Sequence, residues 1–127
     1  MKAKIILLIF GLIIIMSLIF LHFSCEKDEN DNQETVCGTT NPLQEIEWLK
    51  NLINELENAP TTEIYIYTYK GEKVFAVTTC AICPDGVTQV HDCDSNIICV
   101  FGGYAGMNTC PDFDTLAVKD SLLWKNF

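Results

Sequence analysis

The chain has no arginine: its 8 cationic side chains are all lysine, against 17 Asp and Glu, and its formal charge is −9. Lysine offers no planar bidentate fork, and the surrounding field is negative. Nucleic acid, phosphorylated ligands and anionic headgroups are therefore excluded as favoured partners. Histidine is scarce as well, with only His91 beyond His22. No Ser–His–Asp set with a nucleophile elbow and no Walker lysine is present. The expectation is a protein that is not an enzyme, with no cofactor and no metal. There is no internal repeat, and the part beyond residue 24 is long enough for one domain and too short for two.

What the sequence does have is one long apolar run, Ile5 to Leu21, preceded by Lys2 and Lys4 and followed by His22-Phe23-Ser24-Cys25. Such a charged start and apolar middle read as an export signal, with an uncleaved anchor helix as the alternative. The arrangement resembles a bacterial lipoprotein signal, in which a small residue, here Ser24, precedes a cysteine that is diacylated. The resemblance implies removal of residues 1–24 and a lipid on Cys25. Residues Glu26 to Glu34 include no apolar side chain, so residues 25–36 are expected to form an acidic, disordered tether. Within it, Lys27, Asp28 and Glu29 resemble the signal that sends some Bacteroidota lipoproteins to the outer face of the outer membrane. A lipid-anchored outer-membrane protein, surface-exposed or alternatively facing the periplasm, follows from these resemblances.

Besides Cys25 there are six cysteines: Cys37, Cys80, Cys83, Cys93, Cys99 and Cys110. An even number in a small exported domain argues for three disulfides, since its core is thin and its compartment oxidising. Fifteen pairings exist in principle. The favoured one joins Cys37 to Cys110 as an outer clasp, with Cys80 and Cys83 bridging to Cys93 and Cys99.

Residues 37–127 are expected to form a single α+β domain. Asn41-Pro42 with Gln44 marks a helix start, and Ile46, Leu49, Leu52, Ile53 and Leu56 fall on one stripe of a helix reaching about Asn58 before Pro60. From Thr62 the period drops to two. Ile64 and Ile66 alternate with Tyr65, Tyr67 and Tyr69, Lys70-Gly71-Glu72 turns, and Val74 to Thr79 returns. Pro84-Asp85-Gly86 is a second turn, followed by a hairpin of Val87 to His91 and Ile97 to Phe101. Gly102, Gly103 and Gly106 interrupt regular structure. Asp112 or Asp114 is then expected to cap a short terminal helix carrying Leu116, Leu122, Leu123 and Trp124. The predicted fold is thus an N-terminal amphipathic helix packed on a four-stranded antiparallel meander, stapled by disulfides.

Asn41-Pro42-Leu43, Trp48-Leu49-Lys50, Tyr69-Lys70-Gly71, Asp92-Cys93-Asp94 and Cys110-Pro111-Asp112-Phe113 together resemble a family of small Bacteroidota lipoproteins of unknown function. The resemblance spans most of residues 37 to 127 and implies lineage and compartment, but no activity. In architecture alone, a helix across a meander also resembles cystatin-type and PepSY-type inhibitor folds.

The candidate contact residues are Tyr65 and Tyr67, on a tyrosine face, with Tyr104 and Met107, in or beside a glycine-rich loop where backbone can approach a ligand. Asp92-x-Asp94-x-Asn96 resembles half a calcium loop, but Ile97 stands where glycine is expected, so a hairpin turn is the simpler reading. Three functions follow. The leading one is a non-enzymatic binding or structural module with a protein or glycan ligand, held to the membrane by its lipid. The alternatives are a macromolecular, protease-type inhibitor and a thiol–disulfide oxidoreductase using Cys80 and Cys83.

Overall fold

The computed structural model describes residues 34–127. The signal, the Cys25 lipidation site and the Lys27-Asp28-Glu29 motif lie outside the described residues. Among the described residues, no helix is long and apolar enough to cross a membrane.

The expected four-stranded meander beneath a single N-terminal helix is not the observed fold. The domain is built on a six-stranded sheet with small helices. Its strands are β1 (Glu63–Tyr69), β2 (Glu72–Thr79), β3 (Val87–His91), β4 (Ile97–Gly102), β5 (Met107–Asn108) and β6 (Val118–Lys125). They pair antiparallel in the order β5-β4-β3-β2-β1-β6. After β5, at one edge, the chain crosses back to place β6 beside β1, at the other.

Three helices accompany the sheet: α1 (Pro42–Glu45), α2 (Glu47–Leu56) and α3 (Phe113–Leu116). The expected single helix from Pro42 to about Asn58 is broken at Ile46, whose backbone is extended at φ −89°, ψ 104°. Asn41 makes no side-chain cap; its own N–H donates to Thr39 Oγ1 at 2.9 Å. The expected terminal helix carries only one turn. It ends at the extended Ala117, and Leu122, Leu123 and Trp124 belong to β6. The physical reason is the open edge of β1: pairing along it satisfies a row of backbone groups that a short helix would leave to water.

The two sheet faces carry separate apolar clusters. Ile64, Ile66, Phe75 and Val77 gather with Val36 and Leu49, and half-buried Trp48, Leu52 and Leu56 pack against them. On the opposite face Tyr69, Val74, Ala76, Val90 and Cys99 enclose Cys110 and Phe113, with Tyr67 and Phe101 at the margin. Strand alternation sorts these sets, because successive side chains point to opposite faces.

Three disulfides are present, with a pairing different from the expected one. Cys37 joins Cys93, Cys80 joins Cys83, and Cys99 joins Cys110, with Cα atoms 5.5, 5.2 and 5.7 Å apart. The Cys37–Cys110 clasp fails because the return to β6 buries Cys110 beside β4, within reach of Cys99. The segment before α1 instead meets the β3–β4 turn, where Trp48 Nε1–H donates to the Cys93 carbonyl at 2.9 Å.

Candidate functional site

Two loops emerge from the same end of the sheet, and their backbones touch. The β2–β3 connection begins at Cys80, whose φ of +54° is unusual for a residue with a side chain. The turn closes through Cys83 N–H to the Cys80 carbonyl (2.8 Å) and Gly86 N–H to the Cys83 carbonyl (3.2 Å). Ala81 N–H donates to the Thr61 carbonyl at 2.7 Å, tying the loop to the entry of β1. The Cys80–Cys83 bond closes the smallest covalent ring in the domain, with Ala81 and Ile82 inside it. Ile82 is left 73 % exposed.

The β4–β5 connection, beginning at Gly102, lies against this loop. Gly103 N–H donates to the Gly86 carbonyl at 2.9 Å. Gly102, at φ +96°, sits so close to that same carbonyl that a Cβ would collide with it. Backbone-to-backbone contact of this kind requires glycine on steric grounds. Past it, Gly106 N–H to the Gly103 carbonyl (3.0 Å) tightens the turn and leaves Tyr104 99 % exposed. Met107 follows on β5, also exposed. The two loops therefore offer a branched aliphatic and an aromatic side chain from braced backbones. This is a contact surface whose ordering cost on binding is already reduced.

The other expected contact residues sit elsewhere. Tyr65, Tyr67 and Tyr69 do share one face of β1, but segment 110–117 lies over it: Tyr67 and Tyr69 pack on Phe113 with ring centroids 5.3 and 5.0 Å apart. Burial, partly offset by the Lys119 charge, raises the Tyr67 phenol above its ordinary range. Tyr65 is half-buried under the Lys119 ammonium, 3.3 Å from its ring centroid. Tyr69 is buried and donates its hydroxyl to Asp112 Oδ1 at 2.8 Å. The structure thus brings Tyr104 and Met107 together at the loop end and separates Tyr65 and Tyr67 from them.

Asp92 spends both carboxylate oxygens on its own turn. Oδ1 accepts from Asp94 N–H and Asn96 N–H, and Oδ2 from the Asn96 amide, all at 2.9 Å. These bonds, chiefly that from the Asn96 side chain, hold the carboxyl below its usual range. Among the described residues, no three His, Cys, Asp or Glu side chains are grouped to hold a metal ion. Ile82 was not among the expected contact residues. Its signal is a branched apolar residue set between two cysteines just before the turn residues Pro84-Asp85-Gly86.

Fold and loops together define a small, disulfide-bonded, antiparallel-sheet domain with two loops braced at one end. Residues 50–126 match the family model described as Domain of unknown function (DUF6970), and the chain belongs to that family. The match covers all six strands and begins inside α2, so Cys37 lies outside it while its partner Cys93 lies within. No curated protein matches the chain, and no solved structure matches it.

Proposed function

We propose that this chain is a lipid-anchored protein of the bacterial outer membrane that acts without catalysis, as a binding module. Its paired loops at Cys80–Gly86 and Gly102–Met107 contact a protein partner. The observation that carries the reading is the exposure of Ile82 and Tyr104 on loops locked together by the Gly103–Gly86 hydrogen bond. Exposed aliphatic and aromatic side chains on ordered backbone are the usual anchors of protein interfaces. The anchor is the diacylated Cys25, joined to the domain through the acidic sequence that precedes the described residues; Val36 already belongs to the domain's core. The lineage is that of the Bacteroidota lipoproteins which the sequence resembles, displayed outward through Lys27, Asp28 and Glu29.

The test uses full-length protein in its native envelope, with a photo-crosslinking amino acid at Tyr104 in one strain and at Glu47, on α2, in another. A discrete adduct formed only from position 104, and lost with Ile82→Asp, is the expected result. Equal adducts from both positions, or insensitivity to Ile82→Asp, would remove the loop end as the binding surface. Mass spectrometry of the mature N-terminus tests the anchor; an unmodified chain that keeps Ile5 to Leu21 would overturn it.

A second reading, thiol–disulfide exchange at Cys80 and Cys83, draws on one observation: these two cysteines pair with each other and neither is buried. It requires turnover of a dithiol substrate, which an insulin-reduction assay measures against a Cys83→Ser variant.

A further inference from the structure

On the side of the sheet where α2 lies, the apolar cluster draws its strand residues from β1, β2 and β6 alone. The cover ends at His91, on whose ring Trp48 stacks. Beyond it, cross-strand pairing decides what the same side presents, because partners across a ladder share a face. Gln89 pairs with Val77, which faces α2, and Val100 pairs with Gln89. Ile97 pairs with His91, and Met107 with Gly102, itself the partner of Val87. Cys99 is buried on the opposite side, so alternation turns Ile98 toward this one. Ile97, Ile98 and Met107 are exposed, and Val87 and Val100 half-buried. A sheet face left to water carries polar side chains at such positions. This strip carries one, Gln89, and it runs from the β3–β4 turn to the loop end, where Tyr104 and Ile82 stand.

Charge is sorted around the strip. Between Val74 and Val118 there is no lysine, whereas Asp85, Asp92, Asp94, Asp112 and Asp114 all fall there. Asp85 stands in the loop at one end of the strip, and Asp92 and Asp94 in the turn at the other. Along its side, Glu55 of α2 faces Ser95 and His91 across a crevice, while Lys50 lines the far flank of the same helix, beside Trp124 of β6. Lys70 and Lys73 are held by Asp112, Asp120 and Glu34, and Lys119 and Lys125 belong to β6. From this combination we infer that the loop end and the strip together receive a basic protein, through an apolar surface rimmed by lysine or arginine. The inference rests on the loop-end reading for where the partner sits, and it adds the partner's chemistry. Residues 25–33 are no substitute, since Glu26, Asp28, Glu29 and Asp31 would meet carboxylates and bring no apolar side chain to cover the isoleucines. A second copy would set aspartate rim against aspartate rim.

The test places the photo-crosslinking amino acid at Gln89, the exposed centre of the strip, in the full-length protein in its native envelope, beside the strain that carries it at Tyr104. The expected result is adducts from both positions with one protein, whose crosslinked peptide, read by mass spectrometry, carries lysine or arginine among apolar residues. Asp85→Asn with Asp94→Asn, two exposed isosteric changes, should cut the yield at both positions by about threefold or more, and Lys50→Gln on the far flank should not. Raising salt from about 0.1 M to about 1 M, which shortens the screening length from about 10 to about 3 Å, should cut it as well. An adduct from position 104 without one from 89 would remove the strip and leave the loop end; one from 89 alone would remove the loop end and leave the strip. No adduct from either position would overturn both. Adducts with an acidic peptide, a glycan or a second copy of this chain, or adducts insensitive to both the aspartates and salt, would overturn the basic partner.

Discussion

At the scale of single residues, the loop end depends on one hydrogen atom. Gly102 has no Cβ, and its positive φ and its contact with the Gly86 carbonyl both demand that. Gly102→Ala should therefore destabilise the domain by about 1–3 kcal/mol, read from the urea midpoint at unchanged m-value. Gly106 has equally left-handed backbone but open space around it, so Gly106→Ala should cost less, about 1–2 kcal/mol from backbone alone. The glycine cluster was legible in the sequence as a break; the neighbour that makes Gly102 irreplaceable was not, because Gly86 is distant in the chain. Asp112 carries a second prediction. Lys70 Nζ lies 2.8 Å from Oδ2 and the Tyr69 hydroxyl donates to Oδ1, and these two partners, Lys70 foremost, hold the carboxyl below its usual range. Its contribution is present above the unfolded carboxyl's value, about 4, and is lost as pH falls through the lower folded value. Thermal melts should show wild type losing stability on acidification below that point more steeply than Asp112→Asn, with the variant already less stable at neutral pH.

At the scale of elements, β1 and β2 were readable because both sit inside the sheet: the start of β1 alternates with a two-residue period, and β2 is a continuous apolar run, Val74 to Val77, buried on both faces. β6 was not. Its pairing with β1 skips a residue between the partners of Ile64 and Tyr65 and again between those of Ile66 and Tyr67. Each bulge shifts the side-chain alternation, so Leu122-Leu123-Trp124 reads as a helical stripe when taken alone. The bulges also twist an edge that would otherwise template pairing with another chain. What pins the end of β6 is Asn126, which bridges three backbone groups. Its Oδ1 accepts from Thr62 N–H at 2.7 Å, and its Nδ2 donates to the Leu56 and Ala59 carbonyls at 3.0 and 2.8 Å. Thr62 is fully buried. Asn126→Ala should leave its N–H unpaired and cost about 1–3 kcal/mol. Amide exchange should then accelerate at Thr62 while remaining slow at Phe75, in the centre of the sheet. The break at Ile46 was hidden for a related reason: Trp48 is drawn to the Cys93 carbonyl by a contact 45 residues away, and no local period encodes it.

At the scale of the whole molecule, cysteine number announced three bridges but chain order could not pair them, since the pairing follows a strand order that places β6 beside β1. With the pairing known, the bridges rank by the loops they close. Sequence separations are 56 for Cys37–Cys93, 11 for Cys99–Cys110 and 3 for Cys80–Cys83. The entropy removed from the unfolded chain then corresponds to about 4, about 3 and below about 2 kcal/mol. Paired Cys→Ser variants should follow that order in urea unfolding. Burial protects one of the three. Cys99 and Cys110 are buried beneath Phe113 and Val90, whereas Cys80 and Cys83, like Cys37 and Cys93, are not; of the two unburied bridges, Cys80–Cys83 closes by far the smaller loop and contributes least to stability. Graded dithiothreitol with differential alkylation should accordingly open Cys80–Cys83 first, while the other two bridges and the fold persist. Because Gly86 connects that ring to the Gly102–Met107 loop, amide shifts should move at Gly103 and Tyr104 in the same step and remain unchanged at Val90. Simultaneous reduction of all three bridges would mean that the loop end is no more labile than the core.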